Sequence, residues 1–251
     1  PGFSENGEFF GPRYLLTHAP SLSPEETLRQ VDFLERALGL KSGAKILDVP
    51  CGHGRHASAL SNRGHEVLGL DVNDFFLEKA REEAARQGVS ARFARGDMRE
   101  LGFDAEFDVA LNIYTSLGYF DDDADDQRVF SGISRALKAG GKFLLDFINR
   151  DSFVRNFRPR WERDLADGSR LVTEPDYDPL RGIMIAKHTL VQGGIEKQIP
   201  SLRYRMYSAT ELVNMGRTAG LSVSRAYGDF DGGDLTMNSK RVILVFEKAW
   251  S

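Results

Sequence analysis

Along most of the chain, short apolar runs alternate with longer stretches whose apolar residues recur at helical spacing, an order that predicts a parallel sheet flanked by helices. Leu28, Val31, Leu34 and Leu38 recur at that spacing behind Ser23 and Pro24, a cap residue followed by a proline suited to the first helical position. A helix packed ahead of the sheet is expected there. Strands are then predicted over residues 45–49, 66–70, 91–94, 107–111 and 142–148, with helices over about 53–62, 74–87 and 125–137, the last one ended by Gly140 and Gly141.

Past Asn149 the rhythm changes. Longer strands are predicted over 170–173, 182–191 and 197–207, joined by the turn signals Asp178-Pro179 and Gly193-Gly194. A helix over about 210–219, a strand over 222–227 and a closing strand over 242–248 then return to the main sheet. The pattern therefore predicts an α/β three-layer sandwich. Its sheet is mostly parallel, seven-stranded and ends in a reversed strand, and an antiparallel β insertion caps the site. It reads as one domain over 1–251, with an N-terminal helical segment over 1–42 and the cap insertion over about 151–207.

Composition narrows the class. With 251 residues, 41% hydrophobic and 28% charged, the chain is long enough for a full core, and its formal charge of -4 gives no long-range field for a polyanion. Nucleic acid is not an expected partner. A lone cysteine, Cys51, excludes an internal disulfide framework and favours a reducing compartment, taken as cytoplasmic. No apolar run reaches the roughly 18 residues of a membrane span, and the first residues lack the regions of a signal peptide. The first residue is not Met, consistent with a processed or cut N-terminus.

The chemistry is expected at the segment Ile46-Leu47-Asp48-Val49-Pro50-Cys51-Gly52-His53-Gly54-Arg55, an apolar strand running through a glycine-containing turn into a helix. A glycine lets a ligand approach the backbone, and the helix start offers free amides, so a nucleotide-like ligand is expected beyond the carboxyl ends of the strands. The plainer alternative is a tight turn whose glycines serve packing alone. Asp71 closes the next strand, where a ribose-binding acid is expected unless it merely caps the following helix. Asp97 lies just past the third strand, placed to accept from an exocyclic amine or to close a loop turn.

These acids and glycines resemble the class I S-adenosylmethionine-dependent methyltransferases, whose first motif is an acid, a short turn and Gly-x-Gly. Residues 107–112 and 137–142 also look like later motifs of that family. The resemblance implies methyl transfer to a small-molecule acceptor, at nitrogen first and at oxygen or carbon otherwise. It places Asp48 and the Gly52 to Gly54 turn at the methionine part of the cofactor, Asp71 at the ribose and Asp97 with Met98 at the adenine, and Pro50, Cys51, Val72 and Asn112 are also expected among the cofactor-binding residues. Pro50 departs from the glycine often found in that turn.

Residues 9–16 resemble the front of a bacterial subgroup of small-molecule N-methyltransferases. This implies Tyr14 near the sulfonium and Arg13 on the methionine carboxylate, with Tyr14 otherwise a surface anchor.

Asn112, Tyr114 and Tyr119, at the end of the fourth strand, are expected to flank the transferring methyl. The prolines used there by enzymes that methylate exocyclic amines of nucleobases are absent. Alternation sends Arg203, Arg205 and Tyr207 to one face, to meet an acceptor or to be solvated, and Asp229 and Asp231 lie in a loop at the same sheet edge. No metal is expected: the acidic run 121–126 lacks the glycine and terminal Glu of a calcium loop, and His53 with His56 lacks a third ligand. Two other readings stay open, a nicotinamide-dependent oxidoreductase and a non-catalytic protein that binds the cofactor. Against the first, Ala57 stands where a third glycine would be. The oligomeric expectation is a monomer or homodimer.

Overall fold

A computed structural model describes residues 9–18 and 23–250, the side chains of Arg13 and His18 excepted. Helices α1 (Pro12–His18) and α2 (Pro24–Leu38) lead into the alternation β1 (Lys45–Asp48), α3 (Arg55–Asn62), β2 (Glu66–Asp71), α4 (Asp74–Gln87), β3 (Arg92–Arg95), β4 (Phe107–Asn112), α5 (Asp123–Ala136) and β5 (Leu137–Ile148). After α6 (Arg150–Arg155) come β6 (Trp161–Asp164), β7 (Arg170–Asp178), β8 (Ile183–Gln192) and β9 (Ile195–Arg205). The chain closes with α7 (Ala209–Thr218), β10 (Leu221–Tyr227) and β11 (Arg241–Lys248).

The main sheet has the order β10-β11-β5-β4-β1-β2-β3. β11 runs antiparallel to both of its neighbours, while β1 to β5 pair in parallel. The order reverses between β1 and β4, which opens a crevice at their carboxyl ends. One face buries Val31, Leu34 and Leu38 of α2 with Leu60 of α3. The other buries Val129, Phe130 and Ile133 of α5 with Leu212 of α7. Both faces being covered accounts for strands that read as near-continuous apolar runs.

Local signals explain the helix ends. Ser23 accepts the Glu26 amide at 3.2 Å, with Pro24 at the start of α2 and left-handed Gly39 at its end. Asn73 caps α4. Within α2, Leu28 is half exposed while Phe33 is buried, so the apolar stripe lies slightly rotated from the expected one.

Two further expectations change. Gly140 and Gly141 lie inside β5 rather than between a helix and a strand, and Gly140, at φ +69°, leaves room for the ring of Trp250. The insertion contains β6, unexpected because Trp161–Asp164 carries no apolar alternation; it forms the edge of a four-stranded antiparallel sheet, β6-β7-β8-β9.

Candidate active site

At the β1 corner, Asp48 is 2% exposed, and its Oδ2 has no hydrogen-bond partner. Burial lifts its pKa to about 7, Arg55 opposing and Asp71 adding to the shift. A buried acceptor without a donor is a place a ligand completes. The Asp71 carboxylate accepts the amide of Gly52 at 2.8 Å and that of Asn73 at 2.9 Å, so it shapes the glycine turn while each oxygen keeps a further lone pair. Burial raises its pKa against those amides. Capping of α4 falls to Asn73, not Asp71.

The two turn glycines have separate reasons. Gly52, at φ +53°, has open space where a Cβ would stand, and it lines the cleft. Gly54, at φ +75°, is instead a packing requirement: a Cβ there would lie 2.7 Å from Ala80 and from the ring of Phe93. For Gly54 the packing alternative holds, and the residue is not in the cleft wall.

Past β3, Asp97 caps a short turn and is gripped by Arg99, whose Nη2 lies 2.6 Å away; this holds its carboxyl below the usual range. It lines the cleft with Val72 and Met98. Asn112 is fully buried behind them rather than lining the cleft: its amide donates to the carbonyl of Val49 at 2.8 Å, and its Oδ1 has no partner.

The far end of the cleft is aromatic. Tyr114 and Thr115 both have left-handed backbones, at φ 74° and 60°, a conformation that costs roughly 1 to 3 kcal/mol for residues with a Cβ. Asp146 of β5 holds them there: its carboxylate accepts the Tyr114 amide at 2.8 Å, and its carbonyl accepts the Thr115 amide at 3.0 Å. The guanidinium of Arg241 closes on the same carboxylate, and the Tyr114 ring lies 5.6 Å from Arg241 and 5.2 Å from Arg55.

Tyr119 packs on Tyr204 at 5.4 Å and on Phe10 at 5.4 Å, and Tyr14 packs among Phe9, Phe10 and Phe76. Burial pushes the hydroxyls of Tyr14, Tyr119 and Tyr204 above the ordinary phenol value. Tyr14 thus lines the cleft and does not act as a surface anchor. Arg13 has no described side chain.

These groups border one cleft of about 1290 Å³. A single small-molecule site usually takes roughly 300 to 1,000 Å³, so the volume accommodates two ligands side by side. The four-stranded sheet contributes Leu202 and Tyr204 to its wall.

That contribution reverses the face expected for β9. Arg205 is turned outward onto Glu211 at 2.6 Å, Arg203 lies 4.0 Å from Asp121, and Tyr207 is buried past the strand end with its hydroxyl on Asp126 and Asp123. Arg203, Arg205 and Tyr207 therefore do not line the cleft. For the two arginines the reason is parity: Met184, Ala186, Leu202 and Tyr204 form the apolar inner face, so beyond the bulge that separates the Leu202 and Ile199 pairs the alternate positions Arg203 and Arg205 face away.

Asp229 reaches the cleft wall, but its carboxylate accepts the amides of Asp231 and Gly233, which lower its pKa. Asp231 pairs with Arg29 and is not part of the wall. His53 lines the cleft, its pKa pushed down to about 4 by burial, and His56 is buried against Gln30 at 2.8 Å. Among the described residues no group of three or more His, Cys, Asp or Glu is placed to hold a metal.

Sequence reasoning missed Arg55, Asp146, Tyr204 and Arg241 as members of this site. Asp146 had a signal, since a carboxylate inside Phe143-Leu144-Leu145-Asp146-Phe147 must have a buried partner. Arg241 had none, because its partner lies 95 residues away.

Known proteins place this architecture. A family described as a methyltransferase domain matches residues 46–141. A putative methyltransferase, YqeM of Bacillus subtilis, is 33% identical over 214 residues, covering 84% of this chain and 86% of its own length. A cypemycin N-terminal methyltransferase of a Streptomyces species is 28% identical over 207 residues, covering 82% and 84%. The fold is that of the CcbJ methyltransferase of Streptomyces caelestis, with a TM-score of 0.78 at 22% identity, covering 88% of this chain and 89% of that one.

The chain belongs to the S-adenosylmethionine-dependent methyltransferases. Its cofactor is S-adenosylmethionine, which sets aside the nicotinamide-dependent reading, and membership of this enzyme family sets aside the non-catalytic one. No helix among the described residues is long and apolar enough to cross a membrane.

Proposed function

We propose that this methyltransferase transfers the methyl group to a nitrogen of a small-molecule acceptor, held between the aromatic end of the cleft and the four-stranded cap sheet in a single-domain chain. When bound, S-adenosylmethionine supplies an electrophilic methyl carbon on a sulfonium. The β1 corner fits that group: Asp48, with its unpartnered oxygen, and the open Gly52, beside Pro50 and Cys51, face the methionine part. Asp71 receives the ribose hydroxyls, while Val72, Asp97 and Met98 border the adenine. Asn112 supports this wall from behind through the Val49 carbonyl.

One observation carries the choice of nitrogen. The aromatic end is lined by Tyr14, Tyr119 and Tyr204, whose raised pKa values keep them as hydrogen-bond donors, and Asp229, also on the cleft wall, has its Oδ1 engaged by two backbone amides. A hydroxyl acceptor would need a base to take its proton, whereas a neutral amine brings its own lone pair. The relative named for cypemycin is, by its name, an N-terminal methyltransferase, which points the same way. The residues' task is then to orient the amine and exclude water, with Tyr114 and Tyr119 flanking the reacting atoms. The acidic net charge supports a small acceptor over a nucleic acid.

The test is methyl-labelled cofactor offered with a panel of small amines and their matching alcohols, products being read by mass spectrometry. Label in the amines is expected. Label confined to the alcohols overturns the reading.

A further inference from the structure

Arg55 opens α3 and lines the cleft where the β1 corner meets the aromatic end. Both of its hydrogen bonds leave from Nη1, to Thr27 Oγ1 at 3.1 Å and to Gln30 Oε1 at 2.7 Å. Nη2 is buried without an acceptor. Arg29, Arg95 and Arg241, which also line the cleft, each hold a carboxylate, whereas no carboxylate of the described residues lies within the 4.0 Å of an ion pair from Arg55.

A guanidinium this enclosed, with one edge unanswered, is costly unless a ligand answers it. The remaining edge, Nε with Nη2, is the planar fork that matches both oxygens of a carboxylate. It is also held in place, since Gln30 and Thr27 fix Nη1 and the Tyr114 ring lies 5.2 Å from the guanidinium carbon. A lone fork carrying one positive charge suits a singly charged carboxylate better than a phosphate, which would draw several cations.

We propose that Arg55 is an anion subsite of the cleft, receiving a ligand carboxylate through its Nε and Nη2 edge. The inference rests on the reading that cofactor and acceptor share this cleft. The carboxylate belongs either to the methionine part of the cofactor or to the acceptor, and the same chemistry serves both.

Calorimetric titration of the whole protein and of Arg55→Gln separates the sources. In the first arm the ligands are S-adenosylmethionine and its decarboxylated form. If the cofactor supplies the carboxylate, the substitution weakens S-adenosylmethionine about tenfold or more and leaves the decarboxylated form unchanged. In the second arm the protein is saturated with S-adenosylhomocysteine and titrated with phenylalanine and phenethylamine, which differ only by a carboxylate. If the acceptor supplies it, the wild type prefers phenylalanine about tenfold, and Arg55→Gln loses the preference while binding both cofactor forms normally.

Equal carboxylate discrimination by wild type and variant in both arms overturns the proposal. Arg55→Lys keeps the charge without the fork and replaces the glutamine variant if melting curves show that the latter does not fold; it is expected to lose part of the same discrimination. Methylation confined to hydroxyls would overturn the nitrogen reading and leave both binding arms to decide Arg55 on their own.

Discussion

Arg241 on β11 reaches the fully buried Asp146 of β5 with two hydrogen bonds of 2.7 Å each, and this pair holds the turn on which Tyr114 stands. The reversed last strand of the sheet therefore contributes to the aromatic end of the cleft as well as closing the core.

Breaking that pair leaves a carboxylate buried without its cation. Arg241→Gln is expected to lower unfolding stability by about 3 kcal/mol, the scale for orphaning one member of a buried pair. Urea unfolding measures it, and stability within about 0.5 kcal/mol of wild type, the usual range for surface substitutions, would show that the pair does not hold the turn.

Asp71→Ala removes the group proposed for the ribose and releases the Gly52 amide. Cofactor affinity should fall by about 1 to 3 kcal/mol, the cost of leaving buried hydrogen-bonding groups unpaired. Calorimetry checks this, and unchanged affinity would remove Asp71 from the cofactor site.

Asp48 gives a pH signature. Its carboxyl keeps its proton in the native state up to about pH 7, whereas in the unfolded chain it ionises near 4. Between these values the folded protein binds more protons, so this group's stabilisation is full below the lower value and is lost as pH rises through the upper one. A bound ammonium or sulfonium favours the ionised carboxylate, so cofactor affinity should rise over the same window. Asp48→Asn should flatten both profiles; a melting temperature and affinity whose pH dependence survives that substitution would mean another group titrates.

Gly54→Ala tests packing apart from chemistry. At φ +75° and 2.7 Å from Ala80 and Phe93, the added methyl strains the backbone and parts α3 from α4. A loss of about 1 to 3 kcal/mol is expected by thermal unfolding. Gly52→Ala meets no neighbour, so at φ +53° it should lose only the backbone-strain part of that stability, and it should weaken cofactor binding as well.

What sequence determined was local. The helical spacing of α2, the apolar runs of β1, β4 and β5, and the acid and glycine turn between Asp48 and Arg55 are read within a few residues, because backbone period and turn sterics act over that range. From these the order of elements, the family and the corner at β1 were all legible. Tertiary structure alone decided which face of β9 meets the cleft, since alternation is symmetric until a partner sheet chooses a side, and the choice went to Leu202 and Tyr204. It alone joined Asp146 to Arg241 across 95 residues and left one edge of Arg55 unmet, because pairing of buried charge depends on which strands lie side by side, and no local pattern records that.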